Sequence, residues 1–274
     1  MKESRKIHLA IIITVIVFCV LMCFMLFLVN NTVVIDGKEY KTYIPCDYIC
    51  VANEQDAVNA TKLCSVEWVD LKCRNISDLS FVANIKGLKK IHIWTDHTID
   101  WMAISSCHNL EEVGIFGRDF TIKNMFFLSS LPKLRKLYLG NSLLPDNGFL
   151  DVTIESLEGM DHLSELETIV MCNVSLNSVT LGNEMDKLVE VEIMGSNIEE
   201  LSIGCNNVNS LTIEDCANLE KISINSNNNS LDHINVSKCP RLSEINSCVI
   251  KIEQYKNSFE SEELMIPFEE FKTD

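Results

Sequence analysis

Ser196 to Asn227 reads SNIEELSIGCNNVNSLTIEDCANLEKISINSN. Three lines within it share one shape: IEELSI from Ile198, VNSLTI from Val208 and LEKISI from Leu219. Each is apolar-x-x-apolar-x-apolar, and its last three positions alternate as a half-buried strand does. One such strand cannot bury its apolar face alone, so the lines must stack on one another. Working outward, the same shape starts at Val66, Leu88, Leu110, Leu134, Leu166, Leu188, Val208 and Leu231, with steps of 22, 22, 24, 32, 22, 20 and 23 residues. A second ladder lies between these rungs, at Ile76, Ile99, Ile122, Ile154, Leu176, Ile198, Leu219 and Leu242, with steps of 23, 23, 32, 22, 22, 21 and 23. The oversized step of 32 falls at the same place in both, as one insertion into a true repeat requires.

The residues predict an α/β-type solenoid of about eight coils with a parallel β-sheet along one side. Asn75 to Ile93 (NISDLSFVANIKGLKKIHI) and Thr121 to Asn141 (TIKNMFFLSSLPKLRKLYLGN) resemble bacterial internalin-type leucine-rich repeats, and Ser196 to Asn227 looks like a shorter variant with two strand-like segments per coil. The resemblance runs from Val66 to Ile250, with a departure at Ile154, whose line degenerates to LEGM. It implies the fold and says little about function. Turn residues are expected near coil ends at Asn75, Asn141, Asn173, Asn197, Asn206 and Asn227, or at Cys216 and Cys239.

The ends differ from the middle. Leu9 to Val29 is 21 residues without charge, roughly 30 Å as a helix and enough to cross a hydrocarbon core. Lys2, Arg5 and Lys6 precede it, which places the N-terminus in the cytoplasm and the repeats outside. The run is long for a cleaved signal peptide and ends without a small-x-small site, so an uncleaved anchor is the preferred reading and cleavage the alternative. The resulting division is a cytoplasmic stub (1–6), a transmembrane signal anchor (7–29), an N-terminal cap (30–65), the repeat solenoid (66–250) and an acidic C-terminal cap or tail (251–274). Val33 to Tyr40 reads as a hairpin about Asp36-Gly37. Ser142 to Asp161 carries the insertion, with a turn signal at Pro145 to Gly148, and reads as a rim loop or a binding loop.

Chemistry is sparse. A net charge of −16 and a pI near 4.8 argue against nucleic acid as a partner. Phosphate-cradling glycine loops, HExxH and GxSxG are absent from the sequence, and no cofactor is implied. His92, His97 and His108 are close in sequence, but His92 is expected to point to solvent from its strand and His108 to sit at a turn, so neither catalysis nor metal binding is expected. Of the 12 cysteines, Cys73, Cys107, Cys216 and Cys239 recur at turns and read as small buried hydrophobes. A disulfide among Cys46, Cys50 and Cys64 is one option outside the cytoplasm.

What remains is a surface. Outward residues of the first ladder stack in columns: one contains Asp70, His92, Gly114 and Tyr138, and its neighbour Lys72, Trp94 and Phe116. Lys90, His92, Trp94, Phe116, Lys136 and Tyr138 therefore form a candidate binding site of exposed aromatics with flanking cations. The expected function is a membrane-anchored, extracytoplasmic protein that binds a protein or glycan partner through its sheet face. The alternative is an envelope protein whose solenoid docks on a neighbouring membrane protein without an independent ligand. Residues 31–150 carry 13 basic and 14 acidic side chains, whereas residues 151–250 carry 4 and 17. The plainest use of that acidic half is solubility.

Overall fold

The computed structural model describes residue 13 and residues 15–22, 31–141, 152–225, 227–228 and 230–246. The expected acidic tail and most of the expected insertion loop lie outside these residues. So does most of Leu9–Val29, of which residues 13 and 15–22 are helical and exposed. Among the described residues no helix is long and apolar enough to cross a membrane.

The chain opens with a hairpin, β1 (Thr32–Ile35) and β2 (Lys38–Lys41), paired antiparallel. Asp36 and Gly37 form its turn with φ of 47° and 74°, the left-handed pair that a two-residue hairpin requires. β3 (Cys46–Val51) and a short helix α1 (Glu54–Ala60) follow. The buried Asp56 carboxylate ties these pieces together. It accepts from the Asp36 N–H at 3.1 Å, the Ala52 N–H at 3.2 Å and Asn53 Nδ2 at 2.8 Å.

The solenoid then contributes one outer strand per coil. These are β4 (Val66–Lys72), β5 (Lys90–Thr95), β6 (Glu112–Gly117), then, past β7 (Phe120–Ile122), β8 (Lys136–Gly140). After β9 (Val152–Ile154) come β10 (Thr168–Cys172), β11 (Val174–Ser175), β12 (Ser178–Leu181) and β13 (Glu190–Met194). β14 (Glu200–Ile203), β15 (Ser210–Glu214), β16 (Lys221–Ile224), β17 (His233–Ser237) and β18 (Glu244–Asn246) complete the order. One nine-stranded parallel sheet runs β17-β15-β13-β10-β8-β6-β5-β4-β3. The N-terminal cap thus supplies a ninth outer strand, beyond the eight lines of the repeat. Its inward residues, such as Ile91, Ile93, Val113, Ile115, Leu211 and Ile213, are buried in a single continuous core.

The other side of the solenoid is not uniform: the second strand-like segment expected per coil over Ser196 to Asn227 is present there and absent from the first coils. The first coils are backed by 3₁₀ turns, including Ser80–Asn84, Trp101–Ser106, Phe126–Leu128 and Met160–His162. Later coils are backed by a second parallel sheet, β12-β14-β16-β18, and a three-stranded sheet β11-β9-β7 lies at the change. The cause is spacing. Buried residues of the second ladder recur every third position in the early coils: Ile76, Leu79, Val82, Ile85 and Leu88, or Ile122, Met125, Leu128, Leu131 and Leu134. Three residues is one turn of a 3₁₀ helix. Later they recur every second position, as in Leu201, Ile203 and Cys205, which is the strand period. The line at Ile154 only looked degenerate, for Met160, Leu163 and Leu166 carry the three-residue spacing.

One turn column follows the outer sheet. Asn173, Gly195, Asp215 and Lys238 have φ of 54°, 57°, 56° and 54°. Asn173 is therefore a left-handed turn as expected, but asparagine is one of four residues used at this position.

Candidate binding face

The outward columns are built by register. Asp70 pairs with His92, His92 with Gly114, Gly114 with Tyr138, and Trp94 with Phe116, as the repeat spacing requires. A further column, two residues earlier in each strand, runs Tyr48, Trp68, Lys90, Glu112 and Lys136. Tyr48 and Trp68 were missed as site residues. Tyr48 lies ahead of the repeat, and its only signal is the alternation Cys46-x-Tyr48-x-Cys50 that matches the next strand. Trp68 was visible to anyone who extended the column of Lys90 by one coil.

The rings touch in sequence along this face. Tyr48 and Trp68 are 5.0 Å apart at 66°, Trp68 and His92 5.4 Å apart at 73°, and His92 and Phe116 5.5 Å apart at 88°, all edge-to-face. His92 also meets Tyr138 edge-on at 6.3 Å, while Trp94 lies over Phe116 at 4.7 Å and 30°. Edge-to-face and offset contacts are the arrangements the ring quadrupole favours.

His92 is not the solvated histidine that the alternation predicts. It is 9% exposed, and Phe116, expected among the exposed aromatics, is 8% exposed. Neighbouring side chains on the outer face close over both, and the glycine between them makes the room. A Cβ at Gly114 would come within 2.8 Å of His92 Cδ2 and overlap the Phe116 ring. Trp94 and Tyr138 are half-buried, as is Lys90, while Lys136 is exposed.

His92 sits between two carboxylates. Nε2 is 2.9 Å from Glu112 Oε1, and Nδ1 is 3.5 Å from Asp70 Oδ1. Asp70 also accepts from Tyr48 Oη at 2.9 Å and Trp68 Nε1 at 3.1 Å. Lys90 Nζ lies 3.9 Å from Glu112 Oε2 and 5.8 Å from the Trp68 ring centre, a cation–π geometry. Burial lifts the Asp70 carboxyl above its ordinary range, against the pull of the Tyr48 hydrogen bond and of His92. Burial pushes Glu112 the same way, but the His92 hydrogen bond, with Lys90 and Lys136, overcomes it and holds Glu112 low. Burial and the Glu112 charge push Tyr138 up to about 12. Each carboxylate is thus engaged by neighbours on its own face. The arrangement fixes ring positions and offers aromatic edges, a lysine rim and hydrogen-bonding carboxylates to a partner.

The other expected groups do not join this site. His97 pairs with Asp96 at 2.9 Å in an exposed turn, and His108 Nδ1 is 3.0 Å from the Ser130 carbonyl. Cys46, Cys50 and Cys64 are free thiols. Among the described residues no group of three metal-ligating side chains converges.

Toward the C-terminal end the face changes character. Its outward residues there include Glu190, Glu192, Thr212 and Glu214. Burial, reinforced by Glu190, raises the Glu192 carboxyl. Where the backing changes, an open cleft of about 730 Å³ lies on the opposite side, lined among others by Glu155, Glu158, Asp161, Asn177 and Ser178.

Residues 142–265 match the family model described as BspA type leucine rich repeat region, in six copies. No curated protein matches the chain. Among solved structures, an internalin from Listeria monocytogenes aligns at 14% identity and a TM-score of 0.44, over 72% of this chain and 66% of the internalin. A plant peptide hormone receptor solved with RGF2 aligns at 12% and 0.43, over 68% of this chain and 37% of the receptor. A leucine-rich repeat protein of Leptospira interrogans aligns at 13% and 0.29, over 75% and 69%. The chain spans less than two thirds of the internalin and of the plant receptor. The described coils stack as a leucine-rich-repeat-type solenoid, and residues 142–265 are similar to a BspA-type repeat region.

Proposed function

We propose that this chain is a membrane-anchored, extracytoplasmic protein that binds a protein partner through the aromatic end of its outer sheet. The site comprises Lys90, His92, Trp94, Phe116, Lys136 and Tyr138, extended by Tyr48 and Trp68. The observation that carries the reading is the unbroken run of ring contacts from Tyr48 to Phe116 with a lysine rim. Trp and Tyr are among the residues enriched where binding energy concentrates, and an aromatic row held rigid by its own contacts loses little entropy on binding. His92 and Phe116 shape this surface from beneath, while Trp94, Tyr138 and Lys136 meet the partner.

The test uses the full chain with a photo-crosslinker at Lys72, an exposed position paired with Trp94 on the face. Wild type is compared with a Trp94→Ala/Lys136→Glu variant, chosen because neither side chain is buried. A crosslinked protein that disappears in the variant, at an unchanged thermal midpoint, supports the site. An unchanged set of crosslinked species overturns it, and a glycan in place of a protein overturns the partner class. Anchoring rests on the uncharged run Leu9 to Val29. Full-length chain that stays with membranes through alkaline carbonate, while residues 31–274 do not, supports it. Full-length chain released by carbonate overturns it.

A further inference from the structure

Just inside the left-handed turn column lies a column of buried side chains: Val174, Ser196, Cys216 and Cys239. Each belongs to the next coil, two residues beyond the paired outer positions Cys172, Met194, Glu214 and Ser237. The backbone N–H of Val174 donates to Ser196 Oγ at 3.2 Å. The Ser196 and Cys216 backbones hydrogen-bond the Cys216 and Cys239 thiols in turn. A thiol therefore does here what a hydroxyl does one coil earlier, and a lone cysteine would need no other explanation.

The two cysteines, however, are neighbours. They follow turns of matching conformation, Asp215 at φ 56° and Lys238 at φ 54°, on strands in register. Their thiols lie close enough to shift each other's pKa, while Cys216 Sγ donates to the Glu214 carbonyl at 3.5 Å and Cys239 Sγ to the Ser237 carbonyl at 3.2 Å. Parallel coils at strand spacing bring equivalent Cα atoms about 5 Å apart, inside the range a disulfide spans. Cys172, by contrast, faces Gly140 and Met194.

The position is also where the core runs out. Cys239 is the last buried apolar side chain among the described residues, and β17 has only half-buried and exposed positions. In a solenoid each coil is held by its neighbours, so the end coil opens most readily.

We propose that Cys216 and Cys239 are an oxidisable pair, and that a low-molecular-weight disulfide such as oxidised glutathione converts them into one Sγ–Sγ bond stapling β15's coil to β17's. The Cys239 thiolate attacks the glutathione disulfide, forms a mixed disulfide and releases one glutathione thiol. Cys216 then attacks the Cys239 sulfur and releases the second. The protein loses two electrons and two protons, and both glutathione thiols carry them away. The order follows from the thiols' closeness: the neighbouring Cys216 draws the Cys239 pKa down, while Cys239, with burial, pushes Cys216 up. Opening of the end coil admits the oxidant.

The experiment uses the full chain carrying Cys64→Ser, which removes an exposed thiol. Protein held in dithiothreitol is compared with protein incubated in oxidised glutathione until its thiol count is constant. The expected result is a Cys216–Cys239 linked peptide in a non-reducing digest, with slower amide exchange across His233–Ser237. Both are lost in Cys216→Ser and in Cys239→Ser, which keep a hydroxyl like that of Ser196 and should fold. Cys216 and Cys239 both still free once the count is constant, or a glutathione adduct on Cys239 that never resolves, overturns the proposal. A link from either cysteine to a different residue also overturns it. None of these outcomes depends on the partner-binding face.

Discussion

The two ends of the outer sheet share one register and little else. At the N-terminal end, rings cover the sheet and the coil backs are 3₁₀ turns packed on Trp101 and Phe127, whose rings stack at 5.8 Å. At the C-terminal end, the face carries carboxylates and small polar residues, and the backs are a second parallel sheet. The core contact per coil is similar, because Ile and Leu stack inward in both. What differs is what each half leaves outside: a rigid aromatic surface, and a strongly acidic one. On the proposed function, stability and recognition are therefore separable along the chain, the first spread over every coil and the second concentrated in the first few.

The sharpest way to break this comparison is to damage one half and watch the other. Ile213→Ala empties a fully buried position in β15 and should cost about 2–5 kcal/mol. Amide exchange should rise across β13, β15 and β17 while β4 to β6 stay protected, since coils contact only their neighbours. Equal loss at both ends would make the halves one cooperative unit. Next, Gly140→Ala acts at the junction. Gly140 has φ +116°, and a Cβ there would overlap the Cys172 carbonyl. Such strain costs about 1–3 kcal/mol, read as a lowered urea midpoint. An unchanged midpoint would mean the two halves are not closely packed there.

His92→Ala probes the aromatic end. It removes the partner of the buried Asp70 and the half-buried Glu112 carboxylates and should cost about 1–3 kcal/mol near neutral pH. Glu112 is held below its ordinary pKa when folded, so its contribution is present above the unfolded value and is lost as pH falls through the folded one. Chemical denaturation across acid pH should show that decline in wild type and a flatter curve in the variant. Glu192→Gln probes the acidic end, with the smallest effect and the opposite sign. Glu192 is raised when folded, first by burial and then by Glu190, so its ionisation opposes folding above the folded pKa. The amide should raise the thermal midpoint at neutral pH, with the gain gone below the unfolded pKa.

Most of the architecture was legible because a repeat is read many times over. Trp94 beside Phe116, and His92 beside Gly114, follow from adding one coil to a residue number. The later backing was legible as a second strand-like segment per coil over Ser196 to Asn227, while the 3₁₀ backing of the early coils, in apolar spacings of three, is hidden by one shared template. Burial of His92 and Phe116 was not legible. Alternation assigns a side to each residue but not what its neighbours cover, and here a glycine column position lets two rings lean inward. Tyr48 escaped because it lies in a strand that carries no repeat line of its own.

The central claim is that one sheet runs unbroken through the 32-residue step, with Lys136–Gly140 paired directly to Thr168–Cys172. Paired cysteines test it directly: Lys136→Cys with Thr168→Cys spans the step, and Glu190→Cys with Ser210→Cys is the control in the later coils. Mild oxidation should link both pairs within one molecule. A control pair that links while the spanning pair stays reduced would contradict the account and leave two separate solenoids.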